Sequence, residues 1–398
     1  MTSRILYLAT ADARGHLMRA QLLVHALREA RARVDVLTTS DAGRDFLSRF
    51  GIDAAVLSRH YAVQFDAQQN MLRRQTNRNV AHYVVRPTRM GRDMMRLNAA
   101  FRQADLVIND SFHPALLFMG ALPPWRRKVV HVYGGSLRRA LTANFEGQLP
   151  GALARAFGRF VAWQIDSARC GIEHDFASEI HETAQSARAL RYQLPTPVPV
   201  VQVIPASNEP VRAVAAIYLN PHFQDVALAR ALCNGLHASG FAQHRVGEGY
   251  AGLDGWLDVD PDWVTRAANA QLIVSAPGMA ALSIAHVYQQ PILLVLTDQP
   301  EQAANAARAA QLRLTHRVVM WHGDATQFQQ QVQQAATELM RTPGTPAQTA
   351  AGQTRARARI DAWTTRILGL LDVNHAGYAS HAHRPAWRVD AENGAQES

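Results

Sequence analysis

The sequence predicts an α/β protein made of two doubly wound, Rossmann-like domains. Two observations carry this: strand–turn–helix units recur along both halves of the chain, and the 398 residues, 48% of them apolar, suffice for two ordinary cores. The clearest unit lies in the second half. Gln271–Ser275 (QLIVS) reads as a buried strand, Ala276-Pro277-Gly278 as a turn, and the alanine-rich stretch from Met279 as a helix. The strand Pro291–Leu296 (PILLVL) follows, and a further helix opens near Gln299.

The amino-terminal half alternates in the same way. Ile5–Ala9 is a strand and Gly15–Ala30 a helix, with Leu17, Gln21, Val24 and Leu27 at helical spacing. Val34–Thr38, Ala54–Leu57, Asp105–Asn109 and Val129–Tyr133 continue the strands, with helices over Asp41–Phe50 and roughly Thr88–Gln103. The first turn, Thr10–Gly15, lacks the G-x-G-x-x-G fingerprint, which argues against a dinucleotide enzyme. Leu194–Pro210 holds five prolines and reads as a linker. Beyond it come the strand Val214–Leu219, the loop Asn220-Pro221-His222 and the helix Phe223–Ser239, and later a long Ala/Arg helix, Gln348–Asp372. The predicted organisation is therefore 1–193, a linker 194–211, 212–347, a helix 348–373, and a disordered tail 374–398, whose His375, His381 and His383 could bind metal although a flexible tail is the plainer reading.

The formal charge is +9, and Lys128 is the sole lysine, so the excess is arginine. Arginine suits phosphate-bearing partners, although a compositional bias of the genome accounts for it equally well. The basic residues do not alternate with stacking aromatics, which argues against nucleic acid. Two cysteines, Cys170 and Cys233, cannot build a bridge framework or a zinc site, and the chain opens on a strand rather than a targeting segment. No apolar run approaches the roughly 20 residues of a membrane span. A cytoplasmic protein is expected.

Candidate chemistry sits at the carboxyl ends of strands, where doubly wound sheets bind ligands. His16, in Gly15-His16-Leu17-Met18-Arg19, stands where the first strand passes into its helix, and an imidazole suits proton transfer near neutral pH. Asp110 ends the fourth strand, the neighbour of the first in this topology, and is placed either to orient that imidazole or to cap its own loop. His113 is a competing base. Arg19 is either a contact to a phosphate or an acceptor carboxylate, or a solvated helix residue. Across the chain, Gly278 lets a diphosphate approach the N–H groups of Met279 and Ala280 at a helix start.

The strand, Gly turn, Ala-rich helix, PILLV strand and Gln299-Pro300-Glu301-Gln302-Ala303-Ala304-Asn305-Ala306 together resemble the donor half of GT-B glycosyltransferases that use nucleotide sugars. The resemblance extends to the bacterial relatives of the UDP-glycosyltransferase and MurG-like group. It implies two Rossmann-like domains facing across a cleft, with the carboxy-terminal helix crossing back to the first. It also implies His16 as the base and Asp110 as its partner. Gly15, Asn220, Pro277, Gly278, Met279, Ala280, Asp298, Gln299 and Gln302 would line the donor site. The nucleotide sugar is then a co-substrate, with no cofactor and no metal, and the reaction inverting.

Two positions depart from the plant-like pattern: Ala276-Pro277-Gly278 replaces a His-Gly-Gly turn, and Ile284 stands where a glutamate grips the ribose. The arginines of Met71–Arg102, interleaved with apolar residues, suggest a peripheral contact with an anionic membrane, on the inner face, and a lipid or polysaccharide-precursor acceptor. A solvated arginine-rich helix is the plainer reading. A nucleotide-sugar hydrolase is an alternative, because its Gly-His-Val-Met-Arg turn is similar to residues 15–19, and so is a non-catalytic nucleotide- or lipid-binding descendant.

Overall fold

A computed structural model describes residues 2–11, 14–58, 87–110, 113–135, 151–176, 181–182, 190–202, 213–340 and 346–381. Residues 71–86 of the 71–102 stretch and 203–211 of the expected linker lie outside them, as do 382–398 of the expected tail. The first sheet holds β1 (Arg4–Ala9), β2 (Arg33–Thr38), β3 (Ala54–Val56), β4 (Leu106–Asp110), β5 (Val129–Gly134), β6 (Cys170–Asp175), β7 (His181–Glu182) and β8 (Leu190–Pro195). Their order is β3-β2-β1-β4-β5-β6-β8-β7, parallel except at β7. Helices α1 (Arg14–Glu29), α2 (Asp41–Ser48), α3 (Pro87–Gln103), α4 (Pro114–Ala121), α5 (Pro123–Arg126) and α6 (Gly151–Ser167) cover it.

The second sheet runs β11-β10-β9-β12-β13-β14, all parallel. Its strands are β9 (Val214–Tyr218), β10 (Ala242–Val246), β11 (Trp256–Leu257), β12 (Leu272–Ser275), β13 (Ile292–Leu296) and β14 (His316–Met320). The helices with it are α7 (Val226–Ala238), α8 (Trp263–Asn269), α9 (Met279–Tyr288), α10 (Pro300–Gln311) and α11 (Ala325–Leu339). Continuous apolar strands such as β13 (ILLVL) are buried on both faces, as parallel sheets require. Helix α7 starts three residues later than its apolar pattern suggests. The reason is local: the Asp225 carboxylate accepts the N–H groups of Ala227 (2.8 Å) and Leu228 (3.4 Å) and sets the start at Val226.

The last helix, α12 (Pro346–His381), begins before Gln348 and continues into the stretch read as a disordered tail. Its Ala356 is buried in the core of the second domain, whereas Trp363, Ile367, Leu370 and Leu371 are buried in the core of the first. One helix thus closes both cores, and the buried Trp363 donates from Nε1 to the Pro195 carbonyl at 2.8 Å.

Candidate functional site

The register of β1 against β4 pairs Ala9 with Asp110, so both strands end at one level. Helix α1 begins just beyond, at Arg14, and puts His16 in its first turn and Arg19 three residues later on the same face. The result is a compact polar cluster. His16 Nδ1 lies 3.2 Å from Asp110 Oδ1. Arg19 grips Asp110 with two donors, Nε on Oδ2 at 2.8 Å and Nη2 on Oδ1. Tyr7 also reaches Asp110, its O–H donating to Oδ2 at 2.8 Å.

Arg19 is therefore neither solvated nor directed at a phosphate. Its side chain is 3% exposed and Asp110 is 0% exposed, whereas the His16 side chain keeps 25%. A third donor, Nη1, lies 2.8 Å from His174 Nε2. A guanidinium only donates, so His174 accepts at Nε2 and carries its proton on Nδ1, from which it donates to Thr196 Oγ1 at 2.9 Å. Burial, and then the Arg19 charge, push the His174 pKa well below its ordinary value. Burial alone would raise the Asp110 carboxyl, but the Arg19 charge and the Arg19 hydrogen bonds outweigh it and hold the group well below the carboxylate range. Burial and the Asp110 charge push the Tyr7 phenol upward, which keeps it a donor.

Tyr7 and His174 were not legible as site residues. Tyr7 reads as one more buried strand position, and its signal was a phenol two residues before a strand end that must abut Asp110. His174 is the penultimate residue of β6, a strand that the sequence reading did not identify. His113 is fully buried at the start of α4, its backbone N–H donating to Asn109 Oδ1 at 2.9 Å, so it does not face the cleft as a competing base.

The other half of the site is built by β12 and β13. Gly278 is the N-cap of α9 and has no side chain to cap the N–H groups that follow, including those of Met279 and Ala280. Its φ of −78° suits any residue, and an added Cβ would meet only the Ala276 carbonyl at 4.0 Å. The glycine is thus not demanded by the backbone; it leaves open space before a helix amino terminus. Pro277 is buried behind it, and its carbonyl accepts from Asn305 Nδ2 at 2.9 Å. Gln302 is 7% exposed, and its Oε1 accepts from the Thr297 N–H at 2.9 Å. These two side chains of the Gln-x-x-Asn segment tie the turns together, the Gln302 carbonyl closing its own turn. Asp298 is exposed and Gln299 half-buried at the start of α10.

Asn220, after β9, uses its Oδ1 on the His222 N–H at 3.2 Å. Gly15 lies in the first turn of α1, with nothing within 4 Å of an added Cβ. Ala276 and Ile284 are both buried in apolar clusters of the second domain, so Ile284 fills core rather than lining a ribose site.

The two halves face each other. Helices α1 and α9 touch, and Arg14 on α1 forms an ion pair with Glu248 of the second domain. Asp175, at the end of β6, pairs with Arg308 on α10 at 3.0 Å. Arg359 on α12 donates to the carbonyls of Phe176 (2.7 Å) and Thr196 (3.0 Å) and lies 3.1 Å from His286 Nδ1 on α9. Among the described residues no group of three or more His, Cys, Asp or Glu is placed to hold a metal ion, and no helix is long and apolar enough to cross a membrane.

No protein-family profile and no curated protein sequence matches the chain. Solved structures do match. The glycotransferase of kitacinnamycin is similar over 93% of this chain and 99% of its own, at 14% identity and a TM-score of 0.60. The glycosyltransferase VinC, solved in complex with dTDP, is similar over 93% and 99%, at 17% identity and a TM-score of 0.55. A UDP-glucosyltransferase from Polygonum tinctorium is similar over 94% and 99%, at 12% identity and a TM-score of 0.57. The likeness is one of fold: the chain has the two-domain GT-B architecture.

Proposed function

We propose that this protein transfers a sugar from a nucleoside-diphosphate sugar to an acceptor hydroxyl. The observation that carries the reading is the partly exposed His16 beside the buried Asp110, on a helix that touches the one whose uncapped start is Gly278. His16 would take the acceptor proton, and Asp110 would orient the ring and face the imidazolium that forms. The N–H groups of Met279 and Ala280, at the positive end of the α9 dipole, would hold the departing diphosphate. That charge stabilisation would serve without a metal ion, and direct attack by the acceptor would invert the anomeric carbon. Asp298 and Gln299 would meet the sugar hydroxyls.

The exposed Arg89 and Arg92 with Met95 on α3 support an acceptor with acidic and apolar parts, such as a lipid-linked precursor met by a cytoplasmic protein at the inner membrane face. The deciding experiment is nucleotide release from UDP-, dTDP- and GDP-sugars, with and without a bacterial lipid extract, for wild type and His16→Ala. Release that needs the extract and falls about 10²–10⁴-fold in the variant supports the reading. Release without any acceptor points to hydrolysis instead, and equal rates in both proteins sink the role of His16.

A further inference from the structure

Arg19 Nη2 lies 2.7 Å from His16 Nδ1, closer than the 3.2 Å from that nitrogen to Asp110 Oδ1. A guanidinium has donors and no acceptor, so Nδ1 meets it with a lone pair. A neutral imidazole that accepts at Nδ1 carries its proton on Nε2. A histidine working as base beside a carboxylate needs the reverse, with Nδ1–H donating to the carboxylate and the Nε2 lone pair presented to the substrate. Arg19 and Asp110 therefore compete for one nitrogen.

The surroundings fix which side holds the ring. Asp110 from β4 already accepts from Tyr7 on β1 and twice from Arg19 on α1. Arg19 is anchored at its far side by the neutral His174 of β6. The Arg14–Glu248 ion pair lies one turn away at the helix start. Only Nη2 of the guanidinium is shared between Asp110 and His16, so a small rotation of the ring exchanges its partners while the Arg19–Asp110 grip persists.

We propose that Arg19 is the positioning residue of this site: it holds the resting His16 with its proton on Nε2, and the base becomes competent when Asp110 replaces Arg19 at Nδ1. This rests on His16 being the base. The exchange is balanced through solvent, which reaches the ring: the Nε2 proton leaves to water, and a water proton arrives at Nδ1. The acceptor proton then goes to Nε2, giving an imidazolium that faces Asp110.

The test is a two-bond ¹H–¹⁵N spectrum of histidine-labelled full-length protein above the imidazole pKa, with the His16 signals assigned from His16→Gln. The Nε2–H tautomer is expected to predominate in wild type. In Arg19→Lys the ammonium keeps a positive charge beside Asp110 but lacks the fork that reaches Nδ1, so the Nδ1–H tautomer is expected to rise. The acid limb of the rate profile should shift with it. A wild-type spectrum showing the Nδ1–H form overturns the proposal, as does an unchanged tautomer in a folded Arg19→Lys. If Arg19→Lys does not fold, the wild-type spectrum alone decides. Full turnover in His16→Gln would remove the base reading, while the tautomer result would still stand by itself.

Discussion

Arg19 and Asp110 form a two-pronged ion pair beneath the cleft, with side-chain exposures of 3% and 0%. Breaking such a pair from one side strands a buried charge, at a cost of about 3–5 kcal/mol, whereas removing both charges together is far milder. Arg19→Leu and Asp110→Leu should each lower the unfolding free energy by that amount, and the double variant should regain most of it. Urea denaturation of the four proteins of the cycle checks this. Additive losses would show that the pair is not a unit.

Gly278 separates binding from folding. Because its φ is −78° and its Cβ direction is open, Gly278→Val should keep the protein folded, losing only the roughly 1 kcal/mol of a poorer N-cap residue. The same side chain would stand in front of the α9 amino terminus, and nucleoside-diphosphate affinity should fall at least about tenfold, or 1.4 kcal/mol. Calorimetric titration with UDP and dTDP measures it; unchanged affinity would move the diphosphate elsewhere.

Two buried histidines predict a pH slope of stability. Burial pushes His131 down to about 3, and burial with the Arg19 charge pushes His174 well below its usual value. The unfolded chain binds protons at these residues from about pH 6.5 downward while the folded one does not. Stability is thus full above pH 6.5 and falls below it by up to about 1.4 kcal/mol per pH unit for each, until the folded values are passed. Denaturation midpoints at pH 8, 6.5, 5 and 4 should show that slope, and His131→Asn should reduce it. A flat profile would mean that His131 takes its proton without unfolding.

Fold and site differed in how far the sequence revealed them. Strands such as Ile292–Leu296 are apolar runs bounded by turns, so the β12–α9–β13 unit was legible almost to the residue, whereas β10, β11, β14, α8 and α11, with weaker apolar patterns, were not read from the sequence. His16 and Asp110 followed from strand ends and adjacency alone. Arg19 was ambiguous because a helix arginine is solvated unless something across the sheet claims it, and Asp110 and His174 come from strands 91 and 155 residues away. Gln302 and Asn305 look like ligand groups in a motif. The Asn305 bond to Pro277 is a tertiary contact that spacing does not encode, and the Gln302 bond closes its own turn at Thr297.

Arg359 joins the two domains through groups that cannot easily find other partners. It is 7% exposed and donates to carbonyls of Phe176 and Thr196 in the first domain and its exit, while reaching His286 on α9 in the second. Burial, and then the Arg355 charge, lower its pKa to about 10, which still leaves it protonated at neutral pH. Arg359→Met keeps the stem and removes the donors, leaving two carbonyls unsatisfied at about 1–3 kcal/mol each. Because Trp363 and its neighbours still fix α12 to the first core and Ala356 to the second, the variant should fold. What it should lose is coupling: the wild type is expected to unfold in a single calorimetric transition and the variant in two. A single transition shifted as a whole would assign the coupling to Arg308–Asp175 and the apolar seat of α12 instead.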